Sequence, residues 1–478
     1  MLQIGPLTID FTPLLAAAAV SPLNGAWYIF THGAWIVIVL TLLTGLKWWW
    51  LFHIAVKASD KWKWVLLAID IPAENIQGPK AVENVLAHLA GAHDKPDLIQ
   101  KYITGFSQPH FSLEIVSIEG FVQFYIRTTT KTRDLAEASI FAQYPSAEIT
   151  EVPDYATWIP DYYPNPEWQL YGTEFKLVKD QAYPIRTYEA FHDETAEEAT
   201  FKDPMAAFLE TMSSLGPGEH AALQILVTPI ASHSWQAGSY KLIEKLAGIP
   251  SHEKKSWLGK IFEIPGLLIA EIAKGFLGGE AEGESHTKEE LPSKMLYLTS
   301  GEREVIEAIE EKAAKIGFHT KIRSIYVGRH DVFNKPKAAW GIVGAMKQLN
   351  TEDLNALKID TKKIGVHAHY LFKEQRKNWK RRKIIRAFKN RSNWRGHEGY
   401  VLNIEELATI WHFPIAESVK APLIKKAESK RGEPPHGLPM GGVHGHGGPP
   451  VGHGGGGAHG TAPVALPVDE EAPDDLPM

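Results

Sequence analysis

A long apolar run lies at residues 26–46 and reads AWYIFTHGAWIVIVLTLLTGL. At about 1.5 Å rise per residue, a helix of this length covers the hydrocarbon core of a bilayer, about 30 Å thick. The pattern predicts one transmembrane helix with a juxtamembrane extension, residues 26–56. No Lys or Arg precedes Lys47, and several lysines follow it. The positive-inside rule then predicts an inner-membrane protein whose residues 1–25 lie outside and whose body lies in the cytoplasm.

Aromatic residues flank the run at both ends, where amphipathic rings favour the headgroup regions. The residues predicted to anchor the helix at the two interfaces are Trp27, Tyr28, Lys47, Trp48, Trp49 and Trp50. A buried helix of a soluble domain is the alternative, although such helices seldom run this long without charge. A cleaved signal peptide fits less well, because no basic residue precedes the run and it begins far from Met1.

Residues 62–153 alternate between strand and helix patterns. The predicted elements are a strand at 64–72, a helix from Pro79 to Gly91, strands at 111–118 and 121–128, a helix at 130–143 and a strand at 147–152. Glu119 and Gly120 alone separate the middle strands, which indicates a hairpin. The order β-α-β-β-α-β predicts a first ferredoxin-like domain.

Residues 167–330 repeat this alternation and predict a second ferredoxin-like domain with a helical insertion at 253–284. Its predicted elements are strands at 168–178 and 183–188, a helix at 204–215, a strand at 221–229, helices at 235–247 and 301–316, and a strand at 318–327. Thr299 and Glu302 have the spacing of a capping box. The predicted fold class is therefore α+β: a transmembrane helix followed by two ferredoxin-like domains.

Residues 331–433 form a helical and basic region, in which a helix at 332–349 and a strand and short helix at 400–415 are predicted. Beyond residue 434, Gly, His and Pro dominate, and the chain ends in acidic residues. Such a tail cannot bury enough apolar surface to offset its ordering entropy, so we expect residues 434–478 to be disordered. Its histidines, spaced by glycine, lack the fixed geometry of a structural metal site.

The composition excludes several kinds of chemistry. The 478 residues carry a net charge of -6 and contain no cysteine, which excludes disulfides, a thiolate nucleophile and a cysteine-based zinc site. Phosphate-binding G-x-x-x-x-G-K-[ST], H-E-x-x-H, EF-hand, G-x-S-x-G and kinase signatures do not occur in the sequence. We therefore predict a protein without enzymatic activity and without a cofactor or metal.

The clearest electrostatic feature is the stretch 373–395, KEQRKNWKRRKIIRAFKNRSNWR. Its candidate contact residues for nucleic acid or anionic lipid are Arg376, Lys377, Trp379, Lys380, Arg381, Arg382, Lys383, Arg386, Lys389, Arg391, Trp394 and Arg395. If the stretch is helical, Ile384, Ile385 and Phe388 form a narrow apolar stripe. Three roles fit this pattern: contact with nucleic acid, docking on an anionic leaflet or acidic partner, and a solvated structural helix.

Several motifs carry a resemblance to a known family. They are IEGFVQFYIR at 118–127, RDL at 133–135, AQYP at 142–145 and LNIEELATIWHFP at 402–414. In these residues the chain resembles an uncharacterised family of membrane-anchored proteins of candidate-phylum bacteria. Its members are fused to, or encoded beside, VirD4/TraG-type or HerA/FtsK-type ATPases of conjugative, type IV secretion-like systems.

The resemblance implies a non-catalytic, single-pass scaffold in a DNA-transfer assembly. In fused members an ATPase domain follows the His-Phe-Pro region, whereas here the Gly/His tail follows it, so the implied partner is a separate P-loop ATPase. The bilayer is the other expected partner, and DNA and a second copy of the chain stay open. The LNIEELATIWHFP stretch has an alternative explanation, since Leu402, Leu407, Ile410 and Trp411 have the spacing of a packed terminal helix.

Overall fold

The computed structural model describes residues 2–4, 7–9, 12–72, 75–193, 200–248, 298–415 and 426–427. The predicted helical insertion at 253–284 and the tail at 434–478 lie outside the described residues. All the described residues belong to one compact unit.

The N-terminal segment consists of a small hairpin and three helices. Its elements are β1 (Leu2–Ile4), β2 (Leu7–Ile9), α1 (Thr12–Val20), α2 (Pro22–Ile29) and α3 (Trp35–Ser59). The prediction of one continuous helix over 26–46 is wrong, because a π-helical turn, Phe30–Ala34, separates α2 from α3. Gly33 has a φ of 123°, a left-handed value that ends the regular hydrogen-bond ladder. The long helix therefore begins nine residues later than predicted and also ends later, at Ser59.

The first half of the main sheet follows α3. Its elements are β3 (Trp64–Pro72), α4 (Pro79–Leu89), β4 (Phe111–Ile118), β5 (Phe121–Thr129), α5 (Arg133–Gln143) and β6 (Glu148–Val152). These agree closely with the predicted elements, because each has a clear apolar period and a turn signal at its ends. Glu119 and Gly120 form the predicted hairpin turn with φ values of 55° and 93°. The strands pair antiparallel in the order β6-β3-β5-β4.

The second half begins after the connector 153–166. Its elements are β7 (Trp168–Leu177), the short pair β8 (His192–Asp193) and β9 (Thr200–Phe201), α6 (Ala206–Ser213), β10 (Glu219–Pro229), α7 (Ser232–Ala247), α8 (Ser300–Ala314), β11 (Gly317–Arg329), α9 (Gly341–Lys347) and β12 (Leu357–Ile359). The main-sheet strands pair antiparallel in the order β12-β7-β11-β10. The capping box of Thr299 and Glu302 is present at the start of α8.

The C-terminal region contributes the remaining elements. They are α10 (Lys373–Lys389), β13 (Tyr400–Asn403), α11 (Ile404–Ile410) and the two-residue β14 (Lys426–Ala427). β13 pairs antiparallel with β11, and β14 pairs parallel with β3. The C-terminal region thereby contacts both halves of the sheet.

The two halves do not form separate domains. β10 pairs antiparallel with β4 along the register from His220 opposite Ile118 to Val227 opposite Phe111, which joins both halves into a single ten-stranded sheet. The prediction of mixed α+β architecture is confirmed, and the prediction of two ferredoxin-like domains is not.

Two further predicted elements are wrong. Residues 183–188 do not form a strand, because the amides of Ile185 and Tyr188 donate to the side chains of Glu406 and Thr409 on α11 instead of to a neighbouring strand. The continuous helix predicted at 332–349 is replaced by a π-helical turn, Pro336–Trp340, that leads into α9. Pro336 favours this later start, since a proline is best accommodated in the first turn of a helix.

Both faces of the sheet are covered. On one face, α4, α5, α6, α9 and α11 pack over a large apolar core that includes Leu86, Ile140, Leu223 and Trp411. On the opposite face, α10 and the connector 153–166 cover a second core around Leu170, Ala222 and Ile325. Alternate residues of the central strands serve the two cores, as the period of two along a strand requires.

Candidate membrane-proximal surface and basic helix

The C-terminal end of α3 is attached to the body by specific contacts. Ile54 is buried, with 5% of its surface exposed. The Trp50 indole Nε1 donates to the carbonyl oxygen of Tyr102 at 2.9 Å, and the Phe52 and Trp394 rings meet edge to face with centroids 5.4 Å apart. Only residues 60–63 separate α3 from β3. The body is therefore packed directly against α3.

A glycine permits the closest of these approaches. Gly105 has a φ of 82°, and a Cβ added there would overlap the carbonyl oxygen of Ile54. Glycine satisfies both requirements, because it has no Cβ and adopts left-handed backbone conformations at little cost.

Within the described ranges, α3 is one helix that is long and apolar enough to cross a membrane. No part of its apolar stretch is buried against the rest of the described residues. A signal sequence near an N-terminus meets the same criteria. With 25 residues, α3 is about 37 Å long at 1.5 Å per residue, which exceeds the hydrocarbon core of a bilayer.

The predicted anchor residues occupy different elements. Trp27 and Tyr28 lie on α2, before the π-helical turn. Lys47, Trp48, Trp49 and Trp50 lie inside α3 and not at its end, and all four are exposed. The last turns of α3 extend beyond this aromatic cluster and contact the body.

The basic segment forms α10 and the loop that follows it. Ile384, Ile385, Ala387 and Phe388 are fully buried against the second face of the sheet, so the predicted apolar stripe is present and packs the helix. The candidate contact residues divide by exposure. Exposed are Arg376, Trp379, Arg382, Arg386, Trp394 and Arg395; partly buried are Lys377, Arg381, Lys383 and Lys389; buried are Lys380 and Arg391.

The less exposed cations of this segment donate within the protein. The Lys380 ammonium donates to the carbonyl oxygens of Thr361 and His367, at 2.5 and 2.9 Å. Arg381 Nε donates to the Leu170 carbonyl at 3.0 Å, and Lys383 Nζ donates to the Lys363 carbonyl at 2.9 Å. These side chains hold α10 on the sheet, so the continuous basic run is not a continuous free surface.

Arg391 is the clearest departure from the predicted contact set. Its guanidinium is completely buried and donates to Glu114 with Nε to Oε1 at 3.0 Å and Nη2 to Oε2 at 3.2 Å. It also bonds both carboxylate oxygens of Asp154. Glu114 further accepts from Tyr155 at 2.7 Å and Ser112 at 2.5 Å. Arg391 is therefore a structural residue and not available to nucleic acid.

These contacts shift the titration of the buried groups. Burial alone would raise the pKa of Glu114, but the Arg391 charge and the hydrogen bonds from Arg391, Ser112 and Tyr155 outweigh it and hold this pKa below its usual range. Burial, with the nearby Arg127 charge, lowers the pKa of His110 from 6.5 to about 3. His110 contacts the carbonyl oxygen of Arg391 at 3.1 Å, so a neutral imidazole adjoins the same network.

A second buried arginine supports the C-terminal end of α10. Arg323 of β11 donates to Glu174 at 2.6 Å and to the carbonyl oxygens of Ala387 and Arg395, at 3.2 and 2.9 Å. Gln224 donates to Glu114 at 3.1 Å and to the Phe388 carbonyl at 3.2 Å. Carbonyls at a helix C-terminus lack intrahelical partners and carry partial negative charge. A guanidinium supplies both the missing hydrogen-bond donors and a favourable positive charge.

Sequence reasoning missed Glu114, Gln224 and Arg323. A signal was present at two of them, since Glu114 is the single charged residue of β4 and Gln224 is the single polar residue of the apolar run 221–227. A buried charge in such a position requires a partner of opposite charge. The sequence offered many possible partners at long range and no means of choosing among them.

The exposed side of α10 carries a smaller basic surface. Arg376, Trp379, Arg382 and Arg386 are exposed and spaced three or four residues apart, which places them along one side of the helix. The Lys383 ammonium lies 5.1 Å from the centre of the Trp379 ring. We call Arg376, Trp379, Arg382 and Arg386 the α10 outer face.

The LNIEELATIWHFP stretch is packed in the core. Leu402, Leu407, Ile410 and Trp411 are completely buried. His412 is also buried and bonds the Ala408 carbonyl at 2.8 Å and Asp203 at 3.0 Å. This outcome agrees with the packing explanation of the motif.

The described residues include a small cleft but no metal cluster. In that part of the chain no group of three or more His, Asp or Glu side chains could hold a metal ion. A cleft of about 340 Å³ beside the start of α10 is lined by Trp168, His330, Glu374 and Arg381 among others. Both His330 ring nitrogens are engaged there, with Gln169 at 2.8 Å and the Asn165 carbonyl at 3.0 Å.

Most of the chain matches a known protein family. A family model described as a domain of unknown function, DUF8128, matches residues 57–418. The chain belongs to the DUF8128 family. The DUF8128 match begins in the last turn of α3 and ends just after α11, so it includes both halves of the sheet and α10. No curated protein matches the chain.

Proposed function

We propose that this DUF8128 protein is a membrane-anchored, non-catalytic scaffold. It serves as an accessory subunit of a type IV secretion-like, conjugative DNA-transfer assembly and holds a separate P-loop ATPase at the inner face of the cytoplasmic membrane. α3 crosses that membrane once, with the N-terminus outside and the body in the cytoplasm, consistent with the distribution of lysines around it.

The direct packing between α3 and the body carries this proposal. A flexible tether would leave the body free to rotate, whereas the contacts of Trp50, Phe52 and Ile54 fix its orientation relative to α3. A scaffold that presents a partner at a set distance from the bilayer requires such a fixed geometry. The sequence resemblance to chains fused to ATPases supplies the class of partner.

We also infer that the sheet arose from two ferredoxin-like halves fused edge to edge. The orders β6-β3-β5-β4 and β12-β7-β11-β10 correspond position by position, with the second strand of each half at the junction. α4 and α5 of the first half and α6 and α9 of the second half cover the same face. This arrangement leaves the opposite face for α10.

Purification of the full chain tests the scaffold proposal. We expect a tagged chain, extracted from its native membranes in mild detergent, to retain a P-loop ATPase through a native-gel separation. The control is the triple variant Lys131→Glu, Lys347→Glu and Lys358→Glu, whose sites are exposed and lie outside α10. Recovery of the chain alone from several detergents would contradict the proposal.

A second candidate function is nucleic-acid binding by the α10 outer face. Arg376, Arg382 and Arg386 can neutralise phosphates, and the exposed Trp379 ring can stack on a base. Because Lys380 supports the fold, the informative change is Arg376→Glu with Arg382→Glu and Arg386→Glu. If this function holds, the full chain in detergent binds single-stranded DNA with strong salt dependence, and this triple variant loses binding while the control triple variant retains it. Absence of binding at low salt would exclude the function.

A further inference from the structure

The chain between α4 and β4 forms one helical turn with four exposed apolar side chains. Leu98, Ile99, Tyr102 and Ile103 have 77%, 59%, 38% and 67% of their surfaces exposed. So dense a group of exposed apolar side chains is unusual on a soluble surface and marks a contact with another apolar phase. We call residues 97–104 the interfacial turn.

The interfacial turn is an ordered amphipathic element. Asp97 accepts from the Gln100 amide at 2.6 Å, and the Gln100 side chain accepts from the Asp97 amide at 3.2 Å, which is a reciprocal cap at the start of a helix. At helical spacing, positions 98, 99, 102 and 103 fall on one side. Positions 97, 100, 101 and 104, all polar or charged, fall on the other side.

This turn is held beside α3 at the level of the aromatic cluster. Trp50 donates to the Tyr102 carbonyl at 2.9 Å, and Lys47 Nζ lies 5.8 Å from the centre of the Tyr102 ring. Lys101 Nζ lies 5.5 Å from the same ring. The close approach of Gly105 to Ile54 fixes the end of the turn. Tyr102 therefore extends the band of Trp48, Trp49 and Trp50, the residue types that favour the headgroup region of a bilayer.

We propose that the interfacial turn is a second membrane contact. Its apolar side inserts into the boundary between headgroups and acyl chains of the leaflet around the C-terminal end of α3, about 5 to 10 Å deep. The bilayer is the fitting occupant, because the turn contacts α3, whose apolar stretch is exposed, through Trp50 and Lys47. Lys47 and Lys101 adjoin it and suit anionic headgroups.

A second membrane contact would fix the rotation of the anchor in the bilayer, which α3 alone does not do. With α3 as the sole membrane contact, the helix and the body fixed to it can still rotate together about the helix axis within the bilayer, whereas an insertion beside α3 selects one rotation. The inference rests on the membrane-anchoring part of the proposed function and is independent of the ATPase and of DNA.

The absence of native cysteine permits a direct test with single labels. Full-length Ile103→Cys and Leu98→Cys, each carrying an environment-sensitive fluorophore, are reconstituted in vesicles of phosphatidylethanolamine and phosphatidylglycerol. Leu42→Cys, in the middle of α3, reports on the anchor. Val178→Cys is the matched control, because Val178 is an exposed apolar residue, with 58% of its surface exposed, and it follows β7 in the second half of the sheet, whereas α3 leads into the first half.

We expect blue-shifted emission at residues 98 and 103, with stronger quenching by nitroxide lipids labelled near the headgroup than by lipids labelled at the chain terminus. Neither effect is expected at residue 178. Aqueous emission at 98 and 103 with lipid-buried emission at 42 would overturn this inference and leave the anchor intact. Blue-shifted emission without nitroxide quenching would mean that protein covers the turn, which also overturns it. Aqueous emission at 42 would overturn the anchor and the inference together.

Discussion

Arg391 Nε lies 3.0 Å from Glu114 Oε1, although 277 residues separate the two along the chain. Both side chains are completely buried, and Glu114 belongs to the strand at which the two halves of the sheet meet. The pair therefore joins the loop after α10 to the middle of the sheet. It also explains why a residue of a strongly basic segment has no exposed surface.

Arg391→Met should destabilise the protein by about 3 to 5 kcal/mol, because it leaves Glu114 charged, buried and without its main partner. The measurement is urea unfolding of the detergent-solubilised chain. Arg386→Met is the matched control on the exposed side of α10, and its effect should stay within about 0.5 kcal/mol. Equal losses for the two variants would contradict a structural role for Arg391.

His110 should make stability depend on pH in the weakly acidic range. Its folded pKa of about 3 lies below its ordinary value of 6.5, so between these values the unfolded chain binds a proton that the folded chain excludes. Stability is full above pH 6.5 and falls as the pH decreases, by at most about 1.4 kcal/mol per pH unit for one histidine.

The groups that face His110 are the Trp64 ring, the Arg391 carbonyl and the Arg127 and Arg323 charges. His110→Gln should reduce the slope of unfolding free energy against pH, by the equivalent of about half a proton at pH 6.5 and of about one proton near pH 5. His220 and His319, whose pKa values burial also lowers, retain their contributions in that variant. His233→Gln, at an exposed site, serves as control, and an unchanged slope for His110→Gln would refute the prediction.

Lys312 and Glu406 form a second buried pair, with Nζ 2.9 Å from Oε2 and neither side chain exposed. Lys312→Met should cost about 3 to 5 kcal/mol, because Glu406 is left buried without its cation. Lys315→Met is the control directly after α8, where the pair with Glu405 is partly exposed and worth about 1 kcal/mol or less. Thermal unfolding of both variants checks the difference, and a similar loss in each would count against it.

Gly105→Ala should weaken the attachment of the interfacial turn to α3. The added Cβ would overlap the Ile54 carbonyl and would require a left-handed alanine, at a cost of about 1 to 3 kcal/mol for the backbone alone. Amide hydrogen exchange should rise at residues 98–105 and at the C-terminal end of α3. Gly91→Ala, at a glycine with open space around it, provides the comparison. Unchanged protection in Gly105→Ala would show that the attachment does not depend on this contact.

The sequence predicted the local elements best where the apolar period and the turn chemistry agree. β3, the hairpin turn at Glu119 and Gly120, and the capping box at Thr299 follow from interactions within a few residues, so a short window contains their cause. The same reasoning failed at residues 183–188, whose amides bond side chains of α11 more than 200 residues away. An interfacial turn was missed as well, although the Asp97 and Gln100 cap signals its start.

By itself the sequence determined that a long apolar helix precedes an α+β body, because hydrophobic length and periodicity are local properties of the chain. Only the tertiary structure decided that the two halves share one sheet, since strand edges present similar backbone groups to any partner. It also decided which basic residues of 373–395 are free and which are buried. That choice depends on the carboxylates of Glu114 and Asp154 and on backbone carbonyls, which folding brings to the basic segment from distant parts of the chain.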